Sequence, residues 1–221
     1  MGLGVTDPKG IFGTTLGLEE FSEERVFDIP ISENAMTGVA IGSAVTGQRP
    51  VLTHQRVDFT LVAMDQVVNQ AAKWHYMFNG QMKVPIVIRM VIGRGWGQGP
   101  QHSQSLQSWF AHIPGLKVVM PSNGFDAKGM LISAVKDDNP VIIIEHRWLH
   151  ESKDIVPLEF YSVELDKCNV LRKGKDITLI GLSYGTLECL DAAKKLKKEG
   201  VSAEVIDLRS INPIDHSTIL K

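Results

Sequence analysis

Four short apolar runs alternate with helical patterns along the first two thirds of the chain, and this alternation constrains the fold more than any other feature. The apolar runs cover residues 50–55, 84–92, 115–121 and 141–145, and helical patterns follow at 59–76, 104–111 and 125–137. The run at 84–92 (VPIVIRMVI) is apolar nearly throughout, as a strand covered on both faces should be. The alternation predicts βαβ units around a mostly parallel sheet, which is an α/β fold.

Two further elements precede the first of these runs. The sequence RVFDI predicts a short buried strand at Arg25–Ile29. Ser32 is a good N-cap for a helix that runs from Glu33 to about Thr46 and is rich in alanine and glycine. Gly47 is then the predicted stop of that helix.

The pattern changes after Glu145. Residues 146–173 show no clear period, and a strand, a helix and a strand are then predicted between 176 and 208. We therefore predict a first domain over residues 1–150, a linker over 151–173 and the start of a second α/β domain over 174–221. One βαβ unit cannot bury a sheet on both faces, so we expect the chain to be truncated or this unit to lean on other chains.

Composition excludes several classes of function. With 23 basic and 25 acidic residues the net charge is −2, which does not suit binding to nucleic acid or to an anionic membrane. Cys168 and Cys189 are too few for a disulfide framework and suit a reducing compartment. No apolar run is long enough to span a bilayer and the N-terminus lacks a secretory pattern, so a cytoplasmic location is expected.

A few polar residues lie where ligands gather in open α/β sheets. Glu33 falls between a strand end and a helix start, although a glutamate is also favoured there by the helix dipole alone. His102 follows a glycine-rich loop, a better place for acid–base work than an apolar face. His54, Asp58 and Phe59 taken singly are more typical of a structural histidine, a helix cap and a core residue.

The common nucleotide, hydrolase and zinc motifs are absent. The loop Gly93–Gly99 reads GxGxGxG, which lacks the GxGxxG spacing, and no acidic residue follows at the required distance. Neither GxxxxGK[ST] nor GxSxG occurs, and neither HExxH nor paired cysteines at zinc spacing occur.

Several motifs in one order resemble a known family. They are PISENAMTGVAIG from Pro30, the pair Asp58-Phe59, MDQVVNQAAK from Met64, QHSQ from Gln101 and PGLKVV from Pro114. Together they resemble the beta subunit of thiamine-diphosphate-dependent 2-oxoacid dehydrogenases, the decarboxylating component of the pyruvate, branched-chain and acetoin complexes. The resemblance implies a pyrimidine-binding α/β domain followed by a transketolase C-terminal domain, with the family pattern clipped at both ends.

The resemblance also implies roles for three residues. Glu33 matches the glutamate whose carboxyl bonds the ring nitrogen of the cofactor's aminopyrimidine. Phe59 matches the aromatic residue that packs against that ring. His102 matches the active-site histidine near the reacting carbon, which transfers protons or binds the lipoyl arm.

A structural potassium ion is implied at a second place. In some relatives such an ion is held, mainly through backbone carbonyls, at the positions of Ile86, Ala134, Val135, Asp137 and Asn139. The alternative for these residues is a strand start and a helix C-terminus with ordinary caps and water.

One half of the implied cofactor site is missing from this sequence. The diphosphate half carries a Gly-Asp-Gly start and binds a divalent metal, and this chain has no Gly-Asp-Gly. The resemblance therefore implies a separate alpha subunit that carries the diphosphate and magnesium, in a two-alpha, two-beta assembly. It also implies a lipoyl domain of the acyltransferase component as acceptor of the acyl group.

Three segments depart from the common pyruvate and branched-chain patterns and leave the 2-oxoacid undetermined. They are Thr53–Val57, Gly93–Gly99 with Trp96, and His146–His150. Two other functions stay open: a transketolase-like or deoxyxylulose-phosphate-synthase-like enzyme acting on sugars, and a non-catalytic module for subunit contacts.

Overall fold

Eight strands and seven α-helices occur in the computed structural model of the protein, which describes residues 1–7, 9–95 and 97–221. Trp96 lies outside the described residues. The strands are β1 (Val51–His54), β2 (Val87–Ile92), β3 (Lys117–Val119), β4 (Val141–His146), β5 (Asn169–Arg172), β6 (Ile177–Gly181), β7 (Ala203–Asp207) and β8 (Ser210–Asn212). The helices are α1 (Glu33–Val45), α2 (Val57–Thr60), α3 (Trp74–Met77), α4 (Gln107–Ala111), α5 (Gly124–Lys136), α6 (Tyr184–Lys198) and α7 (His216–Ile219).

The main sheet has the order β1-β2-β4-β3-β8. The first four strands are parallel, which confirms the predicted parallel α/β sheet. β8 joins the edge antiparallel to β3. The sequence analysis missed β8, because three residues are too few to show a period.

The core lies on both faces of the two central strands. Ile88 of β2 and Ile142 of β4 are buried on one face, and Val87 and Val141 are buried on the other. Each such side chain stabilises the fold by roughly 1.5–3 kcal/mol relative to an exposed one. This burial explains why both strands read as continuous apolar runs, and it fixes the carboxyl ends of the strands as a rigid edge.

The prediction of one regular α-helix over residues 59–76 is wrong. The segment instead contains α2, a 3₁₀ turn at Leu61–Ala63, a π-helical turn at Gln66–Ala71 and α3. The amide of Ala72 donates to the carbonyl of Val67 at 3.0 Å, the wider spacing of a π turn. The Ala72 carbonyl then lies so close to Gly115 that a Cβ there would be 2.0 Å from its oxygen.

The strand predicted at Arg25–Ile29 is also wrong, since this segment forms turns and extended coil. The N-terminus occupies one edge of β1. The amide of Thr53 donates to the Met1 carbonyl at 2.9 Å, and Gly2 forms a parallel bridge with Thr53. Arg25–Ile29 therefore does not pair with this edge of β1.

A smaller sheet of order β5-β7-β6 carries the C-terminal unit. Its parallel β6 and β7 with α6 between them confirm the predicted strand–helix–strand pattern. β6 is the last strand of this sheet, and its Ile177 and Ile180 are 47% and 45% exposed. This edge strand therefore leaves apolar side chains uncovered within the described residues. The division of the chain into domains stays a prediction.

No helix in the described part of the chain is both long and apolar enough to cross a bilayer.

Candidate functional site

The carboxyl end of β1 and the starts of α1 and α2 enclose a narrow cleft of about 10 Å³. Glu33, His54 and Phe59 line it together with Ile29 and Pro30. This is the edge at which ligands bind in open α/β sheets. The cleft therefore brings together two of the three residues predicted for the cofactor site.

Glu33 is the first residue of α1 and is half-buried. Within the described ranges its carboxylate makes no hydrogen bond and no ion pair, so its oxygens are available to a ligand. The helix N-terminus favours its negative charge. Ser32 precedes it but makes no side-chain cap, contrary to the predicted capping role.

The rings of Phe59 and His102 meet, although the two residues are distant in sequence. Their ring centroids are 5.3 Å apart at an interplanar angle of 83°, an edge-to-face contact. Phe59 belongs to α2, while His102 ends the 3₁₀ turn Pro100–His102. Because Phe59 also lines the cleft of Glu33, the third predicted residue lies beside the same cleft.

His54 ends β1 in the same cleft and is 4% exposed. Burial lowers the pKa of His54 from its usual 6.5 to about 4, so the imidazole is neutral at pH 7. Its Nε2 lies 3.5 Å from Oγ1 of Thr37, which is buried on α1. Position alone favoured a purely structural histidine, and no local pattern indicated that His54 lines the same cleft as Glu33.

Two buried arginines lie along the same edge of the sheet, and the sequence analysis did not single them out. Arg56 is 1% exposed and Arg147 is 8% exposed. Arg56 donates to the Gly93 carbonyl at 2.9 Å, and both guanidiniums donate to Oε1 of Gln98. The one available signal was that Arg56, Gln98 and Arg147 all fall in the segments that depart from the common family pattern.

Asp58 connects α2 to the segment that follows His102. One of its oxygens accepts from the side chain of Gln104 at 2.8 Å and from its backbone amide at 3.4 Å. The other oxygen is buried without a partner among the described residues. Asp58 therefore does more than begin a helix.

A second cavity of about 260 Å³ lies at the end of β4, outside the first cleft. Glu145, His146 and His150 line it. Burial alone would raise the pKa of the Glu145 carboxyl, but Arg89 and His150 outweigh it and lower that pKa to about 2. Arg89 binds this carboxylate through two nitrogens, so the charged groups of this cavity are already paired.

The five residues predicted to hold potassium are Ile86, Ala134, Val135, Asp137 and Asn139. Four of them lie at the end of α5 or just after it, whereas Ile86 directly precedes β2 and its carbonyl already accepts from the amide of Val141 at 2.9 Å. The Arg49 guanidinium donates to the carbonyls of Val135 and Asp137 at 2.9 and 2.8 Å. The Asp137 side chain accepts from the amide and side chain of Asn139. No cluster of three or more acidic, histidine or cysteine side chains suited to a metal occurs in the part of the chain that the structure describes.

Two family models match the sequence. The one described as "Transketolase, pyrimidine binding domain" covers residues 2–151, and the one described as "Transketolase, C-terminal domain" covers residues 166–221.

Curated relatives match over nearly the whole chain. The acetoin:2,6-dichlorophenolindophenol oxidoreductase subunit beta of Cupriavidus necator is 43% identical over 96% of this chain and 63% of its own length. The pyruvate dehydrogenase E1 component subunit beta of Bacillus subtilis is 43% identical over 96% of this chain and 66% of its own length. The chain thus spans just under two thirds of these relatives.

A solved structure shares the fold. The chain titled "Split gene transketolase, inactive beta4 tetramer" superposes with a TM-score of 0.78 over 100% of this chain and 68% of its own, at 23% identity. At this identity the likeness bears on the fold alone.

Proposed function

From the premise that this chain belongs to the transketolase pyrimidine-binding domain family, which its residues 2–151 match, we propose that it is the beta subunit of a thiamine-diphosphate-dependent 2-oxoacid dehydrogenase. The observation that carries this proposal is the convergence of three residues. Glu33 and Phe59 line one cleft, and His102 contacts the ring of Phe59 at 5.3 Å. Each of these residues matches a family motif in a different part of the chain.

The cleft fits an aminopyrimidine ring in its chemistry. It offers a carboxylate with no partner among the described residues, an aromatic face and a neutral imidazole. When bound, thiamine diphosphate supplies an electron sink for the decarboxylation of a 2-oxoacid. Glu33 would hold the ring by a hydrogen bond to its nitrogen and keep a proton there.

The other two side chains have separate tasks. Phe59 packs against the ring and keeps water from the Glu33 carboxylate, which strengthens the hydrogen bond. His102 holds or moves a proton near the reacting carbon, or receives the lipoyl arm. His54 stays neutral because it is buried, so it does not form a competing ion pair with Glu33.

The diphosphate half of the site belongs to another chain under this proposal. Because the sequence has no Gly-Asp-Gly, magnesium and the diphosphate would be bound by an alpha subunit. The assembly would contain a second beta subunit, and a lipoyl domain would accept the acyl group. A cytoplasmic location stays a prediction.

The substrate is a 2-oxoacid whose identity the relatives leave open. The acetoin and pyruvate relatives have the same 43% identity to this chain, although their names refer to different substrates. The three departing segments lie along the same edge as the cleft, which is where a difference in substrate would act.

A structural potassium ion at the end of α5 is part of the proposal. Backbone carbonyls are suitable ligands for such an ion, because each oxygen has two lone pairs. The Arg49 guanidinium already donates to the carbonyls of Val135 and Asp137, so its positive charge competes with the ion there. Measuring melting temperature in potassium against sodium chloride tests the ion, and equal values would remove it.

Turnover of a Glu33→Gln variant tests the function. In the full-length protein assembled with its alpha subunit, the variant should lose 2-oxoacid-dependent turnover and keep its assembly, because glutamine cannot share a proton in the same way. Asn34→Gln, at the exposed neighbouring position, is the matched control and should keep turnover. Near-normal turnover of Glu33→Gln would overturn the proposal, and turnover only with sugar phosphates would favour the transketolase-like alternative.

A further inference from the structure

We propose that Arg56, Gln98 and Arg147 form a clamp that positions His102 against Phe59. The inference rests on the proposed function, since that function gives His102 its role. It assigns positioning residues that act through the His102 loop and do not touch the substrate.

The clamp is centred on one side-chain oxygen. Oε1 of Gln98 accepts from Arg56 and, at 3.2 Å, from Arg147. Arg56 also donates to the Gly93 carbonyl at 2.9 Å. The start and the later part of the glycine-rich loop are thus tied to the same guanidinium.

The glycine-rich loop lies close to the clamp. A Cβ on Gly95 would be 3.2 Å from the Arg147 guanidinium. One on Gly93 would be 2.9 Å from the His146 ring and 3.1 Å from Arg147. Gly93 also has a φ of +100°, which other residues rarely adopt.

The electrostatics make Gln98 the critical member. Burial lowers the pKa of Arg56, partly offset by Asp58, and burial followed by the charge of Arg56 lowers the pKa of Arg147. Two like charges in a dry environment lose solvation, and a shared acceptor restores part of it. Nε of Arg56 is already buried without a partner among the described residues, so losing Gln98 would leave more unmade bonds.

A second tether fixes the other side of His102. Asp58 accepts from Gln104, which lies two residues after His102. Arg56 donates to Gln98, which lies four residues before His102. The segment that carries His102 is therefore held at both ends by alternate residues of the segment that leads into Phe59. Fixing both ends determines where the imidazole lies relative to the Phe59 ring.

The clamp also gives a common reason for the three departures from the family pattern. Arg56, Gln98 and Arg147 come from the segments Thr53–Val57, Gly93–Gly99 and His146–His150, which are distant in sequence. Their polar residues meet at one point of the structure. The three segments therefore contribute to one contact that holds this loop.

Replacing Gln98 tests the clamp, because its side chain is only partly buried and the fold should survive. Gln98→Leu removes the shared acceptor, whereas Gln98→Glu keeps an oxygen there and gives it a charge. Gln101→Leu is the matched control, since Gln101 is exposed on the same loop and has no side-chain hydrogen bond in the described residues. Two readouts are compared on the full protein with its alpha subunit: amide hydrogen exchange over residues 97–105, and kcat and KM for the 2-oxoacid.

Gln98→Leu should exchange at least tenfold faster over residues 97–105 and lower kcat at least tenfold with little change in KM. Gln98→Glu should restore both, and Gln101→Leu should resemble the parent. Unchanged exchange in Gln98→Leu, or a Gln98→Glu variant no better than Gln98→Leu, overturns the clamp. Hydrogen exchange can be measured on a protein that has no activity. If the parent is inactive but Gln98→Leu still exchanges faster over residues 97–105, the result counts against the proposed function and supports the clamp.

Discussion

Lowering the pH should destabilise the protein through His54. Its pKa is about 4 in the folded protein because it is buried, whereas an unfolded histidine titrates near 6.5. The unfolded chain therefore binds a proton first as the pH falls. The stability that His54 contributes is fully present above pH 6.5, falls below it, and is lost by about pH 4.

The size of this effect follows from the two pKa values. Their difference corresponds to roughly 3 kcal/mol when the loss is complete, and to about 2.5 kcal/mol at pH 4.5. A loss of this size is a large part of the stability of an ordinary domain. The effect should appear as a steep fall in the free energy of unfolding between pH 7 and pH 4.5.

Urea unfolding at pH 7 and pH 4.5 isolates the contribution of His54. His54→Gln has no titrating ring, so its stability should fall by about 2.5 kcal/mol less than that of the parent over this interval. Any loss of stability that the substitution itself causes at pH 7 cancels, because only the change between the two pH values is compared. His112→Gln, at an exposed histidine, should retain the parent's pH dependence. Equal pH dependence of the parent and His54→Gln would refute the reasoning.

Three further changes test other parts of the account. Gly115→Ala should cost about 3 kcal/mol or more in urea unfolding, because φ is +100° and the Cβ would meet the Ala72 oxygen; a cost below 1 kcal/mol would contradict the close approach. Arg209→Met should cost roughly 3–5 kcal/mol, because it leaves the fully buried Asp126 without its ion-pair partner; the double variant with Asp126→Asn should recover part of that, and no recovery would argue against the pair. His102→Ala should slow single-turnover acyl transfer or decarboxylation by well over tenfold, and an unchanged rate would remove His102 from the site.

The elements with strong local signals could be predicted from the sequence. The apolar run that contains β2 and the helix that begins at Glu33 were predicted to within a few residues. Both carry strong local signals: a continuous apolar stretch in one case, and a serine followed by an alanine-rich stretch in the other. Local signals suffice where the surrounding structure agrees with them.

Elements that depend on distant partners were not predictable in this way. Arg25–Ile29 has a strand-like composition, but Met1 and Gly2 occupy the edge of β1. The π turn after Ala63 has the same apolar spacing as an α-helix to within the precision of the pattern. Neither the occupied edge nor the wider turn leaves a mark in the local sequence.

The candidate site divides along the same line. Glu33, Phe59 and His102 were identified through family motifs, and the structure gathers them without testing their chemistry. Arg56 and Gln98 carry no motif, and they matter only because the fold brings three departing segments together. Such a contact between distant segments can be seen only once the fold is known.

Calorimetric titration of thiamine diphosphate with magnesium tests the central claim most directly. The titration is made into this chain alone and into its mixture with the candidate alpha subunit, taken as the neighbouring gene product. The account predicts tight binding only in the mixture, because this chain supplies the ring-binding half of the site. Tight binding to the chain alone, or none to an assembled complex, would contradict it.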